Sequence, residues 1–386
     1  MKVKTSARSV LKTALCARSA RYALALIAVA FLAACQGEYP QNSLDPKTDF
    51  AETIHSLYVS VFWWSMVILA LVWAVLAYIV IRFRERPDRP EPKQVHGHLG
   101  MEIAWTIGPA LIVVAIAIPT IQAVFRTQIP PGEDANALVV EVVGHQYWWE
   151  FRYPDLGVTT ANEMHLPVGR PITLKMSSVD VIHSFWVPQL GGKRDVNPLR
   201  RVPDGEEPRY TWLYFTINDD EEGTFLGQCA EFCGEAHSLM RTRVVAQSPA
   251  EFDAWVGNWL TPSVTASAPT VDAAAAQPAV QEDPLVTEGR NIFLLQSTCV
   301  ACHSVRGTQA QGVIGPNLTR LGNRSTIGAG LLENTPENLF RWISAPHDVK
   351  PGARMPGAQV GGGGFPPTNL SDEQVRAIAA YLGSLR

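Results

Sequence analysis

Leu57 to Ile81 is an unbroken run of 25 residues without Asp, Glu, Lys or Arg, and Ile103 to Val124 is a second run of 22. At 1.5 Å per residue, helices of these lengths extend about 37 and about 33 Å, enough to cross a hydrocarbon core of about 30 Å with some tilt. The alternative, a buried core hairpin, sits poorly with two long uncharged runs in succession. Pro109 and Pro119 argue against an unbent second helix, but prolines are tolerated in spans that pack on other helices. The connecting loop carries Arg82, Arg84, Arg86, Arg89 and Lys93, whereas residues 36–56 hold only Lys47. Positive charge stays in the cytoplasm, so everything after Val124 is expected on the outer side. Hydrophobic residues make up 47% of the chain against 18% charged, in keeping with membrane spans. The net charge of −4, with no long basic run, gives no case for a nucleic-acid partner.

Residues 1–35 read as a leader. Lys2, Lys4, Arg8, Lys12, Arg18 and Arg21 form a basic stretch, and the apolar run Tyr22 to Leu32 is short for a span. It ends in Leu32-Ala33-Ala34-Cys35, which resembles the lipobox of bacterial lipoproteins; the resemblance implies lipidation of Cys35. An ordinary signal peptide cleaved elsewhere is the plainer alternative.

Beyond the spans the character changes twice. Residues 136–247 contain short β-branched and aromatic runs divided by Gly, Pro and Asp. Leu138 to Val143, Pro171 to Met176, Tyr210 to Ile217 and Met240 to Ala246 are predicted strands of an antiparallel sandwich or barrel, followed by a short helix at Pro249 to Leu260. Residues 261–284 are rich in Thr, Ser, Ala, Pro and Gln and are expected to be a flexible linker. Glu288 to Leu295, Pro336 to Ser344 and Ser371 to Leu385 then have helical spacing, the last opening with the capping-box pair Ser371 and Gln374. The expected organisation is a leader (1–35), a helical hairpin (50–126), a β domain (127–260), the linker and an all-α domain (285–386).

Cys229-Ala-Glu-Phe-Cys233-Gly-Glu-Ala-His237-Ser-Leu-Met240 places two thiols, an imidazole and a thioether within twelve residues. Thiolate and thioether are soft ligands that suit copper. Two thiolates on one loop could bridge a pair of coppers, with His237 and an imidazole from another strand, best His183, as end ligands. Zinc would leave Met240 without a role, and a redox disulfide would leave both His237 and Met240 unexplained. The motif resembles the dinuclear CuA site of cytochrome c oxidase subunit II, held in that family by a cupredoxin-like barrel. The resemblance implies that Cys229 and Cys233 bridge the coppers, that His183 and His237 are end ligands, that Met240 is a weak ligand and that Glu231 offers its carbonyl. It also turns the Glu231 side chain toward a magnesium site.

Further segments carry the same resemblance. His96 to Pro109 looks like the start of the family's second span, and related oxidases place the residue matching Glu102 at the mouth of a proton path into subunit I. An interfacial carboxylate is the plain alternative for Glu102. Gly144 to Pro154 matches the family's aromatic segment, which makes Tyr147, Trp148 and Trp149 candidates for the point where electrons arrive. Sheet packing is the bland reading for each of them. Many members that use a separate soluble cytochrome c have Trp where Tyr147 stands and use it as the entry point; here either a fused donor domain makes that route unnecessary or Tyr147 serves instead. Leu199 replaces a glycine of the family's usual Pro-Gly-Arg turn. The 45 residues between His183 and Cys229 suggest an insertion near Pro203 to Pro208.

Cys299-Val-Ala-Cys302-His303 is a C-x-x-C-H signature for covalent haem c, with His303 as an iron ligand. Met355, 52 residues on, resembles the distal methionine of small class I cytochromes, and a Met/His pair raises the potential. Gly315-Pro316 resembles the segment whose carbonyl orients the ligating histidine. His347, the rival ligand, is expected in solvent.

The fold expected is therefore multidomain: a two-helix membrane hairpin, an all-β cupredoxin-like barrel and an all-α cytochrome c domain. By resemblance, the function is that of subunit II of a bacterial cytochrome c oxidase. Electrons from a soluble cytochrome c or an upstream respiratory complex would pass through haem c and CuA to subunit I, in a complex that includes subunit III. The place is the bacterial cell membrane, with both cofactors outside. Two rivals stand beside it: the CuA subunit of a nitric oxide reductase complex, and a membrane-anchored electron carrier that works alone.

Overall fold

The computed structural model describes residues 39–85, 94–132, 135–199, 209–263 and 282–386, with isolated positions in the leader. The expected leader and lipidated Cys35, Arg86, Arg89 and Lys93 of the basic loop, the insertion near Pro203 to Pro208 and most of the linker lie outside these residues.

Helix α1 spans Asp49–Arg82 and helix α2 spans Leu99–Arg126. Each exceeds the uncharged run inside it because its ends are polar and capped. The Thr48 side chain accepts from the Ala51 N–H to start α1, and His98 accepts from Met101 to start α2. Both are long and apolar enough to cross a membrane, and their apolar windows are unburied by the protein itself. The first turns of α1 are fastened to the β domain instead. The Thr48 hydroxyl donates to the Leu190 carbonyl at 2.8 Å, Asp49 accepts from the Thr216 N–H at 2.8 Å, and Phe50 is buried in the β-domain core.

The β domain has two five-stranded sheets. Strands β1 (Leu138–His145), β2 (Trp148–Tyr153) and β3 (Val158–Ala161) are joined by β5 (Pro171–Ser178) and β8 (Thr211–Thr216) in the order β3-β2-β1-β5-β8. Strands β4 (Glu163–Pro167), β6 (His183–Trp186), β7 (Arg194–Val196), β9 (Gly223–Cys229) and β10 (Arg241–Gln247) form the order β4-β10-β9-β6-β7. The pairs β1/β5 and β4/β10 are parallel, and the others are antiparallel. The inner faces share one core in which Trp149, Phe151, Tyr153, Leu166, Ile172 and Leu174 are wholly buried. Each such side chain contributes about 1.5–3 kcal/mol of burial. After β7, the Leu199 N–H donates to the Ser178 carbonyl at 3.3 Å. Helix α3 (Pro249–Leu260) closes the domain with a full capping box between Ser248 and Glu251.

The C-terminal domain is helical. Helix α4 runs Pro284–Asn291, starting earlier than its apolar spacing suggests because Asp283 caps it and Pro284 occupies the first turn. The stretch Ile292–Gln296 continues as a π turn rather than α-helix. Short helices α5 (Cys299–Cys302), α6 (Pro336–Ser344) and α7 (Pro346–Val349) follow, and α8 (Asp372–Ser384) carries the expected Ser371/Gln374 capping box. Helices α4 and α8 cross at Gly289, where a Cβ would lie 1.8 Å from the Ala377 carbonyl oxygen. Two short strands, β11 (Thr326–Ile327) and β12 (Leu332–Glu333), pair antiparallel.

Candidate metal centre and haem site

The two thiols sit at the end of one strand and in the loop that follows. Strand β9 delivers Cys229, and β10 resumes just after Met240. The backbone bond from Cys229 N–H to the Met240 carbonyl, 2.9 Å, closes the loop, and Ala230 N–H donates to the Ser184 carbonyl of β6. A single 3-10 turn at His237–Leu239 aims the imidazole inward. His183 comes from the start of β6, so two sheet strands and one loop converge.

The ligand atoms lie together. The Cys229 and Cys233 sulfurs are 3.9 Å apart. His183 Nδ1 is 3.8 Å from Cys229 Sγ, His237 Nδ1 is 3.6 Å from Cys233 Sγ, and Met240 Sδ is 4.0 Å from Cys233 Sγ. The Glu231 carbonyl oxygen is 3.3 Å from Cys229 Sγ. Ligand atoms of His183, Cys229 and Cys233 all fall within 4.8 Å of one another. His183, Cys229, Cys233 and Met240 are buried.

This donor set fits copper. Metal–thiolate bonds of about 2.3 Å easily span the gap between the sulfurs, whereas a disulfide needs them at about 2.05 Å. Both cysteines are free thiols. Each thiol acts on the other: hydrogen bonding to Cys233 holds Cys229 far below the usual thiol range, and the resulting thiolate pushes Cys233 far above it. Ionising both thiols in so small a space calls for cations.

Asp180 organises the first imidazole. Its Oδ1 lies 2.8 Å from His183 Nε2, and its Oδ2 accepts from the Gln146 N–H at 2.7 Å. With Nε2 engaged, Nδ1 is the nitrogen turned to the sulfurs, the usual arrangement behind a metal-bound histidine. Burial works against the charged imidazole, but the Asp180 and Cys229 contacts raise His183 above the usual range. Gly144 makes room: a Cβ there would stand 2.7 Å from His183 Cδ2.

The three aromatic candidates part company. Trp149 is wholly buried, edge-on to Phe185 and His183 at centroid distances of 5.3 and 5.8 Å. It is core packing and presents nothing to an external partner. Trp148 is half-buried and stacks on His145 at 4.0 Å. The Tyr147 hydroxyl accepts from the Glu235 N–H at 3.1 Å, and its carbonyl takes the Lys350 ammonium at 2.6 Å. Glu102 is exposed in the first turn of α2, where its carboxylate accepts from the His98 N–H at 3.3 Å.

In the helical domain, Cys299 and Cys302 are free thiols on the single turn of α5. Gly312 N–H donates to the His303 carbonyl and Gly315 N–H to the Cys302 carbonyl, folding residues 303–316 back on the motif. The His303 Nδ1 donates to the Pro316 carbonyl at 2.8 Å, which leaves Nε2 as the ligating nitrogen. Burial lowers the His303 pKa, so the ring is the neutral imidazole that a metal needs. Gly315 is the cradle: a Cβ there would meet His303 Cε1 at 2.6 Å. Met355 is half-buried and packs against the same core as Cys299 and Val300. Val313 and Ile314 stand exposed beside the motif, apolar surface that a bound macrocycle would cover. These residues fit haem c. His347 departs from its expected solvated setting: its Nε2 is buried without a hydrogen-bond partner among the described residues.

Sequence reasoning assigned no role to Asp180, Gln146, Lys350 or Glu163. Only Asp180, three residues before a candidate ligand, had a position that hinted at one.

Three family descriptions match the chain: Cytochrome C oxidase subunit II, transmembrane domain, over residues 39–123; Cytochrome C oxidase subunit II, periplasmic domain, over 156–248; and Cytochrome c over 286–386. Cytochrome c oxidase subunit 2 of Alkalihalophilus pseudofirmus is 36% identical over 364 residues, covering 92% of this chain and 94% of that protein. The proteins of the same name from Bacillus sp. strain PS3 and Bacillus subtilis are 35% and 30% identical, covering 79% and 95% of this chain and 80% and 98% of theirs.

Proposed function

Because the chain belongs to the cytochrome c oxidase subunit II family, with a cytochrome c domain fused at its C-terminus, we propose that it carries electrons from an outside donor through a covalent haem c and a dinuclear copper centre to subunit I of a terminal oxidase. When bound, the two cofactors supply reversible one-electron chemistry, and this transfer needs no acid–base pair or nucleophile. The observation that carries this reading is the pair of buried sulfurs 3.9 Å apart with one imidazole nitrogen beside each, at 3.8 and 3.6 Å.

Cys229, Cys233, His183 and His237 would hold the copper, with Met240 and the Glu231 carbonyl completing the donor set. Burial of the thiolates excludes water and limits rearrangement when charge changes. In the second site Cys299 and Cys302 would attach the haem covalently, and His303 and Met355 would hold its iron. The contact of Pro316 with His303 fixes the tautomer and the ring plane. The loop is suited to a partner, since Phe232 between the two cysteines is 76% exposed, and Val179 and Ile182 beside His183 are also uncovered. Subunit I is that partner in this reading, with subunit III in the same complex, Glu231 turned toward a magnesium ion and Glu102 at the mouth of a proton path. The α1/α2 hairpin anchors the chain in the bacterial cell membrane with residues after Val124 outside.

The test is isolation of the tagged chain from its native membrane followed by anaerobic addition of a reduced c-type donor. Co-isolation of a haem–copper subunit that reduces oxygen, with haem c reduced before copper, supports the reading. Isolation with a nitric-oxide-reducing partner, or with none, replaces it with one of the two rivals.

A further inference from the structure

The helical domain meets the barrel at several points, and the most buried of them belongs to neither cofactor site. Glu163 lies on β4, an edge strand of its sheet, and is only 3% exposed. Four donors from the helical domain hold its carboxylate. Oε1 accepts from the Ser325 hydroxyl at 2.6 Å, the Thr326 N–H at 2.9 Å and the Thr326 hydroxyl at 2.9 Å; Oε2 accepts from the Ser325 N–H at 3.1 Å. Arg243 of β10 donates to the same Ser325 hydroxyl at 3.0 Å, and the Arg241 N–H donates to the Ala329 carbonyl at 3.3 Å. Two cations from the helical domain reach across as well. Arg320 donates to the Asn258 and Thr261 carbonyls, and Lys350 to the Tyr147 carbonyl. Charged hydrogen bonds to backbone groups are directional, so together they admit one orientation of the domain.

That orientation brings the loop carrying Met355 to the copper ligands. Arg354, its neighbour, donates to Gln146 Oε1 at 3.4 Å, and Gln146 Nε2 donates to the Cys233 carbonyl at 2.6 Å. One side chain thus separates the methionine loop from a thiolate loop.

We propose that Glu163 is a positioning residue that locks the cytochrome domain on the barrel, making it a fixed electron donor whose methionine loop stays one side chain, Gln146, from Cys233, instead of a shuttle on its linker. The inference rests on the haem-to-copper reading above. The transfer it serves moves one electron from ferrous haem to the oxidised copper pair, with no bond made or broken.

The test uses the full chain loaded with haem and copper, in detergent. Two quantities are read: amide exchange at Arg241, whose N–H bonds across the interface away from Glu163, and the haem-to-copper transfer rate after flash reduction of the haem by a ruthenium photoreductant. The wild type should protect Arg241 and transfer in one viscosity-independent phase. Each charged hydrogen bond lost in Glu163→Ala lowers the docked-to-undocked ratio by about 10- to 150-fold. Arg241 exchange should therefore accelerate by about 10-fold or more, and transfer should turn slow and viscosity-dependent. Haem and copper spectra and the initial haem reduction should stay as in the wild type. Glu163→Gln keeps an acceptor for three donors but sets an N–H against the Ser325 N–H, so it should fall between. The double substitution S325A/T326V, made on the other face, must reproduce the effect and serves if Glu163→Ala does not fold. Unchanged exchange and unchanged kinetics in these variants would overturn the proposal. Wild type that protects Arg241 but never passes an electron to copper would instead sink the functional reading and leave the lock standing.

Discussion

Replacing Asp180 with Ala should weaken copper binding without touching a ligand. The carboxylate holds His183 Nε2 at 2.8 Å and the Gln146 N–H at 2.7 Å, and His183 has no solvent exposure. Removing it strands a buried imidazole N–H and frees the ring to rotate Nδ1 away from Cys229. A hydrogen bond to a charged group contributes about 1.5–3 kcal/mol. Loss of an outer partner of a metal-bound histidine costs about 10–100-fold in affinity, or about 1.4–2.7 kcal/mol, so two independent routes give one range. Asp180→Asn keeps an acceptor for Nε2 but turns either charge or geometry against the Gln146 N–H, and should fall near the lower end. The assay is competition for copper between the full chain and a chelator of known affinity, with the haem absorption of the same sample as internal reference. Affinity in Asp180→Ala equal to wild type, in a barrel with unchanged circular dichroism, would refute the claim that this carboxylate orients His183.

Two other outcomes follow from the packing. Gly315→Ala puts a methyl 2.6 Å from the His303 ring, so covalent haem should still attach through Cys299 and Cys302 while its low-spin absorption is lost; retained low-spin absorption would show that the cradle tolerates a side chain. His165 is half-buried, and desolvation lowers its pKa from 6.5 despite its bond to Gln247. Its folded pKa lies below its unfolded one, so its contribution is fully present above about pH 6.5 and is lost as the pH falls toward the folded value. Thermal melting of the barrel from about pH 8 to about pH 5 should therefore flatten in His165→Gln, and parallel wild-type and variant curves would contradict this.

Much of this was legible because local signals and tertiary demands agreed. The membrane-length helices, α3, α6 and the capping box of α8 follow from uncharged length, Pro at the first turn and Ser-x-x-Gln spacing. Strands β4, β6 and β9 escaped notice because they carry Glu, His or Gly and owe their pairing to distant partners. The cysteine loop and C-x-x-C-H motif declared their chemistry because ligands for soft metals and haem must be close in sequence when one loop supplies them. Glu163, Gln146 and Lys350 gave no such signal. Each acts across 80 or more residues of chain, on a partner that only the folded chain brings near. The departure at Tyr147 takes on a physical sense here: its carbonyl and hydroxyl are both engaged, the first by the cytochrome domain itself.

The central claim is that one chain holds a bridged copper pair and one covalent haem. The most direct measurement is copper and haem counted per chain on the purified, reconstituted protein, with the electron paramagnetic resonance of the oxidised copper recorded on the same sample. Two coppers and one haem, with hyperfine structure from a single electron spread over two copper nuclei, is the result predicted. One copper or none in a folded, haem-loaded chain, or hyperfine structure from a single nucleus, would contradict the bridged site at Cys229 and Cys233 and the route built on it.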